Sequence, residues 1–237
     1  MEHVVFGGVD LSERFVCLVK SRHMPSVDAS LEHVSGSDRY VAMGATYLPE
    51  PIVVRLVAPS AGRRERRRLA RFLGGALYRR EPERLYLSDD EGLYRMAMVV
   101  DQPDFEELVV GGSVEVKFQP MHAAMYGETH SATVPSGGSV TVMVEGTYPS
   151  TPTVSASAAT GETWGIRLDN ADFLHVPKGS YAQGIEIDCE RRTCLVGGLV
   201  SLPTLDSDWL ELAPGEHTLA NDMGGGAATV TWTERWL

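Results

Sequence analysis

The sequence predicts a mainly β chain of two β-sandwich-type domains, the first carrying one amphipathic helix. Three observations carry this expectation. Short β-branched runs recur along the whole chain, one stretch only has a helical apolar stripe, and the charge changes abruptly near the middle. With 237 residues, 43% of them hydrophobic and 22% charged, the chain is long enough to bury two cores of ordinary size.

The strands come first in the argument. Phe15, Val16, Cys17, Leu18 and Val19 form a short apolar run of the kind a buried strand presents, and 51–57 is a second run rich in Ile and Val. Residues 93–100 follow a turn signal at 88–92. From 113 to 119 the alternation is strict. Val114, Val116 and Phe118 face one way and Glu115, Lys117 and Gln119 the other, as in a strand with one wet face. The helix lies between these runs. Leu69, Phe72, Leu73, Ala76 and Leu77 fall on one stripe, arginines occupy the other faces from Arg63 to Arg71, and Ser60 is the expected N-cap.

The second half reads as strands and turns throughout. Val140, Val142 and Val144 share a face, and short runs follow at 153–157, 164–168, 185–189 and 194–196. In the last run Val230, Trp232 and Trp236 are expected on one side. The stretch 121–138 lacks periodicity and is rich in Gly, Ser, Thr and His, so it is the expected junction between domains at 1–125 and 126–237. Residues 1–119 carry a net charge of −2 and residues 120–237 a net of −9.

The total of −11 disfavours non-specific nucleic-acid binding, because phosphates would meet a repulsive field. The beginning of the chain, MEHVVFGGVD, has neither a basic segment nor an apolar run typical of a secretory leader. No apolar run approaches the ~20 residues of a membrane span, so a soluble chain made in a cytoplasm is expected. Neither a G-x-x-x-x-G-K-S/T phosphate loop nor a G-x-S-x-G elbow is present. The seven histidines show no metal-ligand spacing, although His122 and His130 flank one loop and are able to meet if it folds back. Carboxylates cluster at Asp89, Asp90 and Glu91, at Asp169 and Asp172, and at Asp206 and Asp208. Turn chemistry accounts for all three more simply than acid–base catalysis or a calcium loop at 169–172. Hence no catalytic residue, cofactor or metal site is expected. Cys189 and Cys194 bracket a four-residue turn at 190–193 that would set their thiols opposite each other. That geometry permits a disulfide, while in a reducing cytosol two free thiols are the default. The arginines from Arg63 to Arg71 read as a solvated helix face or a subunit contact.

The order of the segments is more specific than any one of them. The charged helix leads into Glu81-Pro82-x-x-Leu85-x-Leu87-x-Asp89, and then into a strand opening on Tyr94 and Arg95. Further on come Gly146-x-Tyr148-Pro149-x-x-Pro152, then Ile185-x-Ile187-Asp188 with Arg192 in the following turn. Next is Leu212-x-Pro214-Gly215-x-His217-x-Leu219, and finally Arg235-Trp236. In this order the chain resembles the distal tail proteins of siphophages over essentially its whole length.

That resemblance implies an N-terminal β domain that forms a hexameric ring and a galectin-like C-terminal sandwich. It implies a hub at the distal end of the tail in the virion of a phage or prophage. The implied partners are further copies of the chain, the tail tube protein, the tail-tip or tail-associated protein and a receptor-binding protein. No membrane and no sequence-specific nucleic acid is among them. No cofactor or catalytic residue is implied either. A second reading is a carbohydrate-binding module recognising a cell-wall saccharide, with Trp164 stacking on a sugar and Arg167 and His175 reading hydroxyls. A cell-wall hydrolase is the third, and nothing in the sequence places a nucleophile beside a base.

Overall fold

The computed structural model describes residues 2–59, 62–156, 163–169, 171–177, 184–221 and 226–237. The chain divides into two compact units. One is Met1–Tyr126 together with Leu237, and the other is Gly127–Trp236.

The first unit contains β1 (Val4–Phe6), β2 (Val9–Asp10), β3 (Val16–Ser21), β4 (Ser26–His33), β5 (Tyr40–Leu48), β6 (Ile52–Val57), α1 (Arg63–Leu77), β7 (Glu83–Leu87), β8 (Arg95–Val99), α2 (Phe105–Gly111) and β9 (Ser113–Pro120). Seven of its strands make one antiparallel sheet in the order β2-β1-β7-β8-β9-β6-β3. An isolated bridge between Glu2 and Cys17, with the Val19 amide donating to the Glu2 carboxylate, links the two ends of this sheet. The period-2 pattern decides which face is dry: Ile52, Val54 and Leu56 pair with Phe118, Val116 and Val114, and all six are buried.

The expected helical stripe is α1. Leu69, Leu73, Ala76 and Leu77 are buried with those strand residues in one cluster. Each such leucine contributes about 1.5–3 kcal/mol by leaving water. Ala70 is buried as well, while Phe72 lies at the margin with the Arg14 guanidinium 4.2 Å above its ring. Gly62 takes the N-cap position, without a side-chain hydrogen bond, and the expected cap Ser60 lies outside the described residues.

Besides the short strands β1, β2 and β7, two elements go beyond the sequence expectation. α2 is a second helix, capped by Asp104, whose carboxylate accepts from the Glu106 and Glu107 amides at 2.9 and 3.2 Å. It ends at Gly112 in the left-handed region, φ 81°. The other element is the hairpin β4–β5, a two-stranded sheet in which every residue of both strands is exposed.

The second unit contains all but the first two residues of β10 (Met125–Val134), and β11 (Ser139–Val144), β12 (Thr153–Ala156), β13 (Thr163–Leu168), β14 (Asp172–Pro177), β15 (Ile185–Asp188), β16 (Thr193–Val196), β17 (Leu199–Val200), β18 (Gly215–Ala220) and β19 (Ala228–Trp236). A six-stranded sheet, β10-β19-β12-β15-β16-β17, and a four-stranded sheet, β11-β18-β13-β14, share one core. Val154, Ile185, Ile187, Val230 and Trp232 enter it from the first sheet. Val142, Val144, Trp164, Ile166, Leu174 and Leu219 enter from the second. Trp236, expected beside Val230 and Trp232, is half-buried at the end of β19, after the buried pair Glu234 and Arg235. The stretch read as an aperiodic junction is mostly β10, whose sequence lacks alternation because much of the strand is only partly covered on either face.

No helix among the described residues is long and apolar enough to cross a membrane.

Candidate functional site

Four of the quoted signatures converge on one junction in the second unit. Gly146 has φ 116°, and a Cβ there would lie 2.2 Å from the Arg235 carbonyl oxygen, so only glycine lets the two backbones approach. The Thr147 and Tyr148 amides both donate to that same Arg235 carbonyl, at 2.9 and 3.1 Å. Ser150 is fully buried and exchanges two 2.8 Å backbone hydrogen bonds with Leu212, and its hydroxyl donates to the Thr233 carbonyl at 2.7 Å. The Pro152 carbonyl accepts from the Cys189 amide at 3.1 Å. Arg235 is buried, and its guanidinium pairs with Glu190, in the turn after β15, at 2.9 Å. Motifs some 90 residues apart are thus one hydrogen-bonded knot, in which turn chemistry supplies the geometry and a buried arginine ties it to the β15–β16 hairpin.

The turn before β18 is held by a second cluster. The Asp169 carboxylate accepts from the Thr218 amide at 2.7 Å and pairs with His217 Nδ1 at 2.6 Å, while His217 Nε2 lies 2.6 Å from the Ala213 carbonyl oxygen. With an acceptor at each ring nitrogen, the imidazolium is favoured. Burial alone would lower the His217 pKa, but the Asp169 and Ala213 contacts together outweigh it and the pKa is raised. The Asp169 carboxyl is held below its ordinary value, first by the Thr218 amide and then by His217. Asp169 itself has φ 50°, a turn conformation that Asp tolerates. Both oxygens of the Asp169 carboxylate are therefore engaged by the turn, the role preferred for it over a calcium ligand, and Asn170 lies outside the described residues. Among the described residues no three His, Cys, Asp or Glu are grouped to hold a metal ion.

The first unit gathers its own signature residues. Asp89 and Asp90 both pair with Arg22, at 2.8 and 2.9 Å, and Asp90 also pairs with Arg95 at 2.7 Å. Tyr94 stacks on Tyr126 at 5.5 Å, lies 5.4 Å from Tyr86 and is covered by the Arg84 guanidinium at 4.6 Å. These carboxylates are thus structural ion-pair partners. On α1, Arg63, Arg64, Arg67, Arg68 and Arg71 are exposed, with Arg67 pairing to Glu106 and Arg68 to Glu65, whereas Arg66 donates to the Val110 carbonyl.

The three residues read as a saccharide contact are not brought together. Trp164 is fully buried in the core, so no face of its ring is open for stacking. Arg167 and His175 are half-buried and point the other way, because Trp164 and Arg167 are an odd number of positions apart on β13 and His175 pairs with Gly165. His122 and His130 each bond within their own unit: His122 Nδ1 accepts from the Ala124 amide, and His130 pairs with Glu234 at 2.6 Å. The cysteine hairpin is two residues out of the expected register. Cys194 pairs with Ile187, Cys189 sits in the turn, and the thiols are therefore not cross-strand partners. All three cysteines are free and buried. Burial pushes the Cys189 thiol up to about 11 and raises Cys17 and Cys194 too.

Residues 145–236 match the family model of the siphovirus-type tail component, C-terminal domain. The match begins one residue before Gly146 and ends one after Arg235, so the knot lies at its two limits. No curated protein matches the chain. Among solved structures, the chain is similar over 100% of both chains to the Dit (gp 19.1) protein of phage SPP1, described as a paradigm of hub adsorption apparatus in phages infecting Gram-positive bacteria. That similarity has a TM-score of 0.80 at 19% identity. It is also similar to chains of the phage P2 baseplate in its activated conformation. With Ca the TM-score is 0.55 at 10% identity, covering 99% of this chain and 98% of that one. With Sr it is 0.53 at 11%, covering 98% of each. Residues 145–236 thus match a siphovirus-type tail component domain, and the whole chain is similar in fold to the SPP1 Dit protein.

Proposed function

We propose that this chain is a structural hub subunit at the distal end of a siphovirus-like tail, and that six copies close into a ring joining the tail tube to the tail-tip and adsorption apparatus. One observation carries the reading: the full-length likeness to the SPP1 Dit fold, on a chain whose second unit matches the tail component family. The first unit builds the ring, and the second is a galectin-like sandwich. The role is one of assembly, and catalysis has no part in it. Its partners are the tail tube protein, the tail-tip protein and a receptor-binding protein. The distribution of charge agrees, since a second half of net −9 stays solvated. The test is electron microscopy of the purified chain at high concentration and of the virion tail. Six-fold rings of this protein are the expected result, and compact monomers with no ring in the tail would overturn it.

A further inference from the structure

The outer face of α1 carries two features that work against the helix itself. Arg63, Arg67 and Arg71 recur every fourth residue, Arg64 and Arg68 form the row beside them, and all five are exposed. At 3.6 residues per turn they fall within an arc of about 140°. Like charges four residues apart repel, and Arg63 and Arg64 also stand in the first turn, where the helix dipole disfavours a cation. Arg67 is compensated by Glu106 and Arg68 by Glu65. Arg63, Arg64 and Arg71 enter none of the ion pairs among the described residues.

The second feature is the pair Gly74 and Gly75, which continue the same arc. Glycine weakens a helix interior, and the surrounding fold gives no reason for it here. A Cβ at Gly75 would meet none of the described residues within 4 Å, and one at Gly74 would meet only the Phe105 ring, at 3.8 Å. Bare backbone at this position lets the backbone of another chain come close. Ala70, Gly74, Phe105 and Val109 line a shallow groove of about 230 Å³ alongside, with room for apolar side chains. Glu106 lines it too, so a run of phosphates along this face would meet a carboxylate and leave the groove empty. A protein segment suits both parts, since carboxylates match the guanidinium fork and an apolar side chain fills the groove. We propose that the face from Arg63 to Gly75 docks a carboxylate-rich segment of a different protein of the tail, its acidic side chains on Arg63, Arg64 and Arg71 and an apolar one beside Gly74. The inference rests on the hub reading above and specifies one partner surface of the hub.

The test uses tails that carry the full chain. Arg71→Lys keeps the charge, and a carbodiimide joins a lysine amine to a carboxylate in contact with it. Mass spectrometry should find the new lysine linked to an Asp or Glu of a different tail protein. A link to a second copy of this chain would overturn the proposal, as would a lysine as open to acylation in the tail as in the free chain. A lysine shielded until nuclease treatment would assign the face to nucleic acid and overturn it too. Two further variants separate docking from folding. Gly75→Leu should raise the melting temperature of the free chain, because leucine favours a helix, yet lower the linked partner's content in purified tails about tenfold. Arg64→Glu combined with Arg71→Glu should lower it as much with an unchanged circular dichroism spectrum, while Arg191→Glu in the second unit should leave it unaltered. Tails that keep the partner in all these variants would overturn the docking and leave the hub reading intact. A chain absent from the tail would overturn both.

Discussion

At the scale of single residues, Gly146 and His217 have the clearest measurable consequences. A side chain at Gly146 meets the Arg235 backbone and cannot swing aside. Gly146→Ala is therefore expected to destabilise the second unit by about 3 kcal/mol or more, read as a fall in its denaturant midpoint at unchanged slope. His217 makes that unit's stability depend on pH. Its folded pKa is raised, so its contribution is fully present below the unfolded value of about 6.5 and is lost as pH rises through the folded value. Asp169, with a lowered pKa, contributes above its unfolded value of about 3.9 and loses that as pH falls through the folded value. The stability difference between wild type and His217→Gln should be largest near pH 5 and shrink above neutrality, and a difference flat from pH 5 to 9 would contradict the assignment. The sequence shows the residues of the knot individually, because glycine, proline and a terminal Arg-Trp are turn and strand signals. It does not show that they meet, since hydrogen bonds between residues 146 and 235 leave no local pattern. The saccharide triad failed on a point that was legible, the strand parity separating Trp164 from Arg167.

At the scale of elements, α2 depends on its cap. Seven residues are too few to nucleate a helix cheaply, so Asp104→Ala is expected to cost about 1 kcal/mol in the unfolding of the first unit, with a smaller loss for Asp104→Ser. The same helix shows why periodicity missed it. Leu108, Val109 and Val110 are consecutive, which reads as strand, and only Asp104 and Gly112 mark the ends of a helix. By contrast α1 and β9 were legible, because each has one dry face wide enough to impose its period on the sequence. The hairpin β4–β5 alternates too, but with small residues and a bulge between Ser30 and Leu31 that breaks the count on β5.

At the scale of the whole molecule, two separate cores make two separate folding problems. The second unit holds its own buried cluster, from Val134 to Trp232. The segment 127–236 expressed alone is therefore expected to fold, giving a β-type circular dichroism spectrum and one cooperative melting transition; a chain lacking a transition would show that the core is not self-sufficient. The charge step at the middle of the sequence carries no information on which strands pair.

The first and last strands of that second unit lie side by side. β10 neighbours β19, Thr129 and Thr233 share a hydrogen bond at 2.9 Å, and Gly146 and Arg235 touch through their backbones. The unit's beginning and end therefore emerge at the same spot, as in a cassette. Joining them with a short linker and opening the chain at the exposed Leu199–Val200 segment should give a circular permutant with the same core, and the cassette can be spliced into a loop of another protein without stretching its host.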